Sequence, residues 1–360
     1  MKKLMMTFLA ILALIAALLL LEWGLTVSRA QHSSQKGDTL TFYNWGDYID
    51  PSILTDFEKT SGYKVDYQTF DSNEAMYTKI QQGGTNYDLA VPSDYMVAKM
   101  KKAGLLAKLD KSKLTGMDNL NKQFLNQSFD RGNKYSVPYF WGTLGILYNR
   151  QKVNGADLKS WSALWSERYK NRVLLVDSAR DILGMTLLSQ GKSVNDQNKA
   201  DLAAAQGKLS SLMPNVKAIV GDELKLYMAQ GEGELAVTYS GEAKNAIEKN
   251  GDLAYTVPED GSNLWLDNLV IPKSAKHKQA AYALINYLNR PDVAAKNAQY
   301  IGYATANRAA YEKLPKSVQN DRAFYPKHSI LDKLQVYHNF DQYWTQKYND
   351  AFLEFKLGKS

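Results

Sequence analysis

Hydrophobic and polar positions alternate and recur in an order that predicts a layered α/β chain. Leu40-Thr-Phe-Tyr-Asn44 reads as a short strand. Asp50-Pro51 then opens a helix, because Asp suits the N-cap and Pro the first helical position. Ile53, Leu54 and Phe57 give that helix an apolar face, and Gly62 closes it. Tyr63 to Thr69 alternates as a second strand, Asn73 to Gln82 is helical, and Gly83-Gly84 turns the chain. Tyr87 to Pro92 makes a third strand, followed by a helix to Gly104. This β-α-β-α-β order is the signature of an open parallel sheet.

A second such series starts near Arg172. It places strands at 172–177, 216–220, 234–239 and 253–257, with helices at 180–190, 197–212, 222–230 and 242–250. Between the two series, Tyr135 to Tyr148 is rich in aromatics and glycine and reads as a crossing between lobes. Ser262 to Ile271 reads as the return. His277 to Arg290 is a helix stopped by Pro291, and a last amphipathic helix carries Trp344, Tyr348, Ala351, Phe352 and Phe355 on one face. The predicted division is a first lobe of 39–142 with 267–313 and a second of 143–266 with 314–360. Each is an open, mainly parallel sheet flanked by helices. A chain of 360 residues is itself too long for one ordinary core.

The first 38 residues stand apart from this pattern. Lys2-Lys3 precede a run from Leu4 to Leu21 in which Thr7 is the sole polar residue. Residues 1–30 read as an export signal, with the positive residues holding the N-terminus in the cytoplasm. Ser28-Arg29-Ala30 offers a small-x-small cleavage site, so a cleaved signal peptide is one reading. The length of the apolar run favours the other, an uncleaved signal anchor. Residues 31–38 are a polar linker.

Composition narrows the function. The chain is 45% hydrophobic and 22% charged, as folded globular proteins are. Its lack of cysteine excludes disulfides, a thiolate nucleophile, Cys-ligated metal and lipid attachment at an N-terminal cysteine. The net charge of +7 is spread along the chain without a basic block, which gives nucleic-acid binding no support. Four scattered histidines lack metal-ligand spacing, and no G-x-S-x-G, P-loop or dinucleotide fingerprint is present. The expectation is a binding protein with no catalytic residue, metal or cofactor.

Ligands of open α/β sheets bind outside the carboxyl ends of the strands. That rule selects Trp45-Gly-Asp-Tyr48, then Ser93-Asp94-Tyr95, then Ser178 and Asp181, then Tyr239 and Glu242. In Ser262–Ile271, side chains alternate with a period of two, so Trp265 and Asp267 point the same way. A buried Trp beside a solvated Asp explains that pair taken alone. An organic cation explains it too, through a π-face and a charge-assisted hydrogen bond. Aromatic and acidic groups recurring at four further strand ends point to a cation site. The helix N-termini there favour anions, so a cation needs an ionised carboxylate beside it. As first-turn acids, Asp181 and Glu242 fit that need, although each is also an ordinary helix-stabilising acid.

Several motifs carry a family resemblance. Phe42-Tyr-Asn-Trp-Gly-Asp-Tyr-Ile49, Tyr87-Asp-Leu-Ala-Val-Pro-Ser93, Ser136-Val-Pro-Tyr-Phe-Trp-Gly142 and Leu264-Trp-Leu-Asp267 occur in order. With Ser160-Trp-Ser-Ala-Leu-Trp165 and Ile301-Gly-Tyr-Ala-Thr305, they make residues 39–356 resemble the spermidine/putrescine-binding proteins of bacterial ABC polyamine importers, of the periplasmic-binding-protein type II family. The resemblance implies a two-lobed fold that closes on its ligand in the interlobe cleft. It also implies a polyamine ligand, an ABC permease as membrane partner, an extracytoplasmic location and a monomer.

By motif, Trp45, Tyr48, Ser93, Tyr95, Trp265, Asp267 and Tyr303 match the family's ligand-contacting positions. Asp181 stands where Glu is usual, Tyr239 replaces a Trp, and His338 stands where Gln is common. Ser178 replaces an Asp of the spermidine-preferring pattern, and Glu242, at a Ser position, is expected to restore that charge. Gly46 replaces a hydroxyl residue. A binding protein for a sugar or amino acid, or an exported hydrolase using Asp181, Glu242 or Asp267, is the alternative.

Overall fold

The structure, a computed structural model, describes residues 39–358 apart from Asp222 and Lys327. The export segment and linker read in residues 1–38 lie outside the described residues. No helix among the described residues is long and apolar enough to cross a membrane.

Among the described residues eleven strands appear in chain order: β1 (Thr39–Trp45), β2 (Lys64–Phe70), β3 (Leu89–Ala90), β4 (Ser136–Asn149), β5 (Val173–Val176) and β6 (Val216–Val220). They continue with β7 (Leu235–Tyr239), β8 (Leu253–Thr256), β9 (Ser262–Val270), β10 (Ala304–Thr305) and β11 (Leu334–Gln335). In the first lobe β1 pairs in parallel with β2 and β3, and in the second β5 pairs in parallel with β6 and β7. Helical crossovers between successive strands require that direction. The crossing strands are antiparallel: β9 joins β3 and β4, and β4 joins β7 and β8. They return the chain from one lobe to the other, so no helix intervenes to keep them parallel.

The long strand β4 belongs to both lobes. Its Ser136–Thr143 half pairs with β9, and its Leu144–Asn149 half pairs with β7 and β8. The fold is therefore two-lobed, with one sheet per lobe joined through β4 and β9. Residues 87–92 give a shorter strand than their pattern suggests. Only Leu89 and Ala90 pair in a ladder, and the Asp88 carboxylate just before them accepts from the backbone N–H groups of Thr41, Lys276 and His277.

Local chemistry starts and stops the helices. Helix Pro51–Ser61 is capped by the Asp50 carboxylate, which accepts from Ser52 N at 2.9 Å, and it ends at Gly62 with φ 79°. Strand alternation feeds two cores on opposite faces of the first sheet. Phe42 packs with Ile53, Phe57, Leu284 and Ile285, while neighbouring Tyr43 packs with Met76, Met96 and Met100. A separate core fills the second lobe, where Tyr348, Ala351, Phe352 and Phe355 of helix Gln342–Lys356 pack with Leu183 and Leu187. Leu314 and Val318 still pack with the first lobe, whereas Phe324 stacks on Tyr255 of the second and Tyr337 joins the second core.

Candidate functional site

A cleft of about 1800 Å³ opens where the strand ends of the two lobes face each other. Trp45, Tyr48, Ser93, Tyr95, Ser178, Asp181, Tyr239, Glu242, Trp265, Asp267 and Tyr303 all line it. His338 does not. Its side chain is exposed, while its backbone is held by Asn195 and Arg180. The neighbouring Tyr337 enters the cleft instead, and the sequence reading missed it. Adjacent residues in an extended segment face opposite ways, and a segment this short gave no periodicity to choose between them.

Asp267 anchors the first lobe's side. Placed by β9, it is 5% exposed. Its Oδ2 accepts from the Tyr48 hydroxyl at 2.6 Å and its Oδ1 from the Ser93 hydroxyl at 2.7 Å. Ser93 precedes helix Asp94–Lys102, yet its side chain does not cap it. The hydroxyl is committed to Asp267 instead, and the Asn73 side chain holds Ser93 at both its backbone N–H and its hydroxyl. Tyr48 is delivered by a turn in which Asp47 takes φ 49°, a left-handed conformation that Asp tolerates better than most residues. Burial pushes the Asp267 carboxyl up to about 6, with the two hydroxyl donors opposing the rise.

Asp181 is the corresponding group of the second lobe and is 3% exposed. Ser178 caps its helix, Ala179–Leu188, and donates to Asp181 Oδ2 at 2.5 Å. Tyr239 donates to the same oxygen and Tyr337 to Oδ1, each at 2.7 Å. Asp181 is thus more than a first-turn acid, since three hydroxyls orient its carboxylate at the cleft. Burial raises the Tyr48, Tyr239 and Tyr337 hydroxyls well above the usual phenol range, which keeps them neutral donors. Among the described residues, no Lys or Arg forms an ion pair with Asp181 or Asp267.

Rings fill the space around these carboxylates. Trp45 donates its indole N–H to Val91 O at 2.9 Å and leans on Phe70. Trp265 meets Tyr303 edge-on, with centroids 5.2 Å apart, and Tyr303 meets Tyr48 at 5.3 Å. Two close approaches allow this. Opposite Trp265 on β4 is Gly142, where a Cβ would lie 2.2 Å from the indole, and at Gly241 a Cβ would lie 1.7 Å from Tyr303. Tyr95 packs against the cores of both lobes and donates to Glu74 at 3.2 Å. At Gly46 a Cβ would meet nothing within 4 Å, so that loop position has space beside it.

Glu242 does not join the Asp181 group. Its Oε1 accepts from the Tyr303 hydroxyl at 3.0 Å, and its Oε2 lies 2.9 Å from Lys225 Nζ. Carried by helix Ser240–Lys249, it meets Tyr303 of the first lobe, whereas Ser178 bonds Asp181. The sequence placed Asp94 at a strand end without making it a ligand candidate; it is 1% exposed and accepts from Leu266 N and Tyr95 N. Burial pushes its carboxyl up to about 8, and the Asp267 charge adds to the rise. Its place in Ser93-Asp94-Tyr95 was the one available signal.

Known proteins share both the sequence and this architecture. The profile of the bacterial extracellular solute-binding protein family matches residues 52–326. The spermidine/putrescine-binding periplasmic protein of Salmonella typhimurium is 43% identical over 306 residues, covering 84% of this chain and 87% of the relative. The solved spermidine/putrescine ABC transporter substrate-binding protein of Streptococcus pneumoniae is 52% identical with a TM-score of 0.84, covering 90% of this chain and 100% of its own. A putative spermidine/putrescine ABC transporter protein of Listeria monocytogenes is 54% identical with a TM-score of 0.83, covering 89% of this chain and 99% of its own. With its profile match, its two lobes and its cleft at the strand ends, the chain belongs to the family of bacterial extracellular solute-binding proteins.

Proposed function

We propose that this protein captures a polyamine, spermidine or putrescine, in the interlobe cleft and delivers it to an ABC permease. The observation that carries this reading is the pair Asp267 and Asp181. One comes from each lobe, both are buried at the same cleft, and both are bonded to hydroxyls. A buried carboxylate without a cation is costly, and an ammonium supplies what is missing. The names of the relatives, which are spermidine/putrescine-binding proteins, support the same ligand class.

In the bound state the two acids hold ammonium groups, and the methylenes between them lie along Trp45, Tyr239, Trp265 and Tyr303. A charge-assisted hydrogen bond contributes roughly 1.5–3 kcal/mol and a desolvated cation–π contact about 2 kcal/mol. Two of each sum to roughly 7–10 kcal/mol, comparable to the roughly 8 kcal/mol of micromolar binding before the ordering of a flexible chain is subtracted. The work is binding and release, without a catalytic step. The protein acts as a monomer outside the cytoplasm, and its N-terminal segment is either cleaved or retained as an anchor.

A thermal-shift panel of polyamines, sugars and amino acids tests the reading, because a ligand of the folded state raises the melting temperature. Putrescine or spermidine at a hundredfold excess over Kd adds about 2.7 kcal/mol, a rise of a few degrees for a chain of this size. A shift with a sugar or amino acid and none with either amine overturns the proposal.

A further inference from the structure

Among the described residues, three carboxylates with hydroxyl partners are buried or half-buried at the cleft, and they are not equivalent; Glu74, which accepts from Tyr95, is exposed. Asp267 and Asp181 are held by hydroxyl groups, whereas Glu242 also has a lysine ammonium 2.9 Å away. That lysine, Lys225, belongs to the short helix Leu224–Ala229 after β6 and lines the cleft together with Glu242. The side chains are 21% and 16% exposed, while the Glu242 Oε2 atom itself is buried. The Tyr303 hydroxyl, bonded to the other Glu242 oxygen, fixes the carboxylate beside the Trp265–Tyr303 ring pair.

A lysine ammonium is chemically the same recognition group as the end of a polyamine: a compact cation with N–H donors on a methylene stem. Where Lys225 meets Glu242, it holds the position that a further ligand ammonium would need. A ligand nitrogen entering there gains nothing from Glu242 unless it displaces Lys225, and it meets a like charge if it does not. The two remaining acids of this hydroxyl-bonded group, Asp181 and Asp267, match a ligand with two ammonium groups. We propose that Lys225 is a specificity-determining residue, a built-in ammonium at the third carboxylate that biases the site toward diamines over triamines. This proposal rests on the polyamine reading above.

Isothermal titration of putrescine and spermidine into the wild type, Lys225→Met, Lys225→Arg and the double variant Lys225→Met/Glu242→Gln tests it. The neutral Met is expected to shift the ratio of spermidine to putrescine affinity toward spermidine by tenfold or more. Arg, which keeps the charge, should hold the ratio within threefold of wild type. The double variant should lose the gain, because the freed carboxylate is what attracts the third ammonium. An unchanged ratio in Lys225→Met, or a gain that survives in the double variant, overturns the role of Lys225. Failure of every protein to bind either amine overturns the polyamine reading and this assignment with it. Circular dichroism melts of each variant establish that folded proteins are compared.

Discussion

Asp267 is where binding and protonation meet. Its carboxyl is raised by burial to about 6, against roughly 3.9 in an unfolded chain. The sign follows from which state holds the proton more tightly. The folded, ligand-free protein does, so this group's contribution is most favourable below about pH 4 and is lost as pH rises to 6. The loss by pH 7 is on the order of 3 kcal/mol. Asp267→Asn removes the buried charge, so its ligand-free melting temperature at pH 7 should match or exceed that of wild type. Its affinity for putrescine or spermidine should fall tenfold or more. Unchanged affinity by titration calorimetry would remove Asp267 from the site. An ammonium favours the ionised form, so binding at pH 6 should release roughly half a proton from this group and almost none at pH 8. Calorimetry in buffers of different ionisation enthalpy measures that number directly.

At the scale of elements, the site depends on β4 and β9 lying closely side by side. Trp265 crosses over Gly142, and the same β4 position also faces the Ser240 hydroxyl, where a Cβ would lie at 2.6 Å. A single methyl group therefore has no room without moving the indole. Gly142→Ala should destabilise the fold by about 1–3 kcal/mol, the usual range for overpacking. It should also alter Trp265 fluorescence and weaken amine binding in parallel. Loss of stability with binding and fluorescence unchanged would mean that Trp265 is not a wall of the site. Gly241 plays the same part for Tyr303 across the lobes, so the aromatic corner depends on two glycines for space rather than for backbone freedom.

At the scale of the molecule, the cleft is larger than its ligand. Sites that enclose a small molecule usually measure 300–1,000 Å³, and this one measures about 1800 Å³. We expect the lobes to close about β4 and β9 when amine binds, bringing Asp181 and Asp267 toward one ligand. Tyr303 with Glu242 and Tyr95 between the two cores already bridge the lobes. Small-angle scattering should show a smaller radius of gyration on saturation with putrescine or spermidine. An identical profile with and without bound ligand would exclude closure.

The sequence by itself determined the elements and their order, because caps, turns and periodicity act over a few residues. Asp50 and Gly62 bound their helix, and the period-two alternation of Ser262–Ile271 put Trp265 and Asp267 on one side. The rule that ligands gather at strand ends selected eight more candidate residues and the family resemblance added Tyr303, and these eleven of the twelve candidates line one cleft. Only the tertiary structure decided who partners whom. Tyr48 and Asp267 are 219 positions apart and Tyr337 and Asp181 are 156 apart, separations at which local pattern carries no information. The same distance effect hid the capture of Glu242 by Lys225, the burial of Asp94 under β9 and the exchange of His338 for Tyr337. Charge was written in the chain, but which charges remain for a ligand depends on long-range packing.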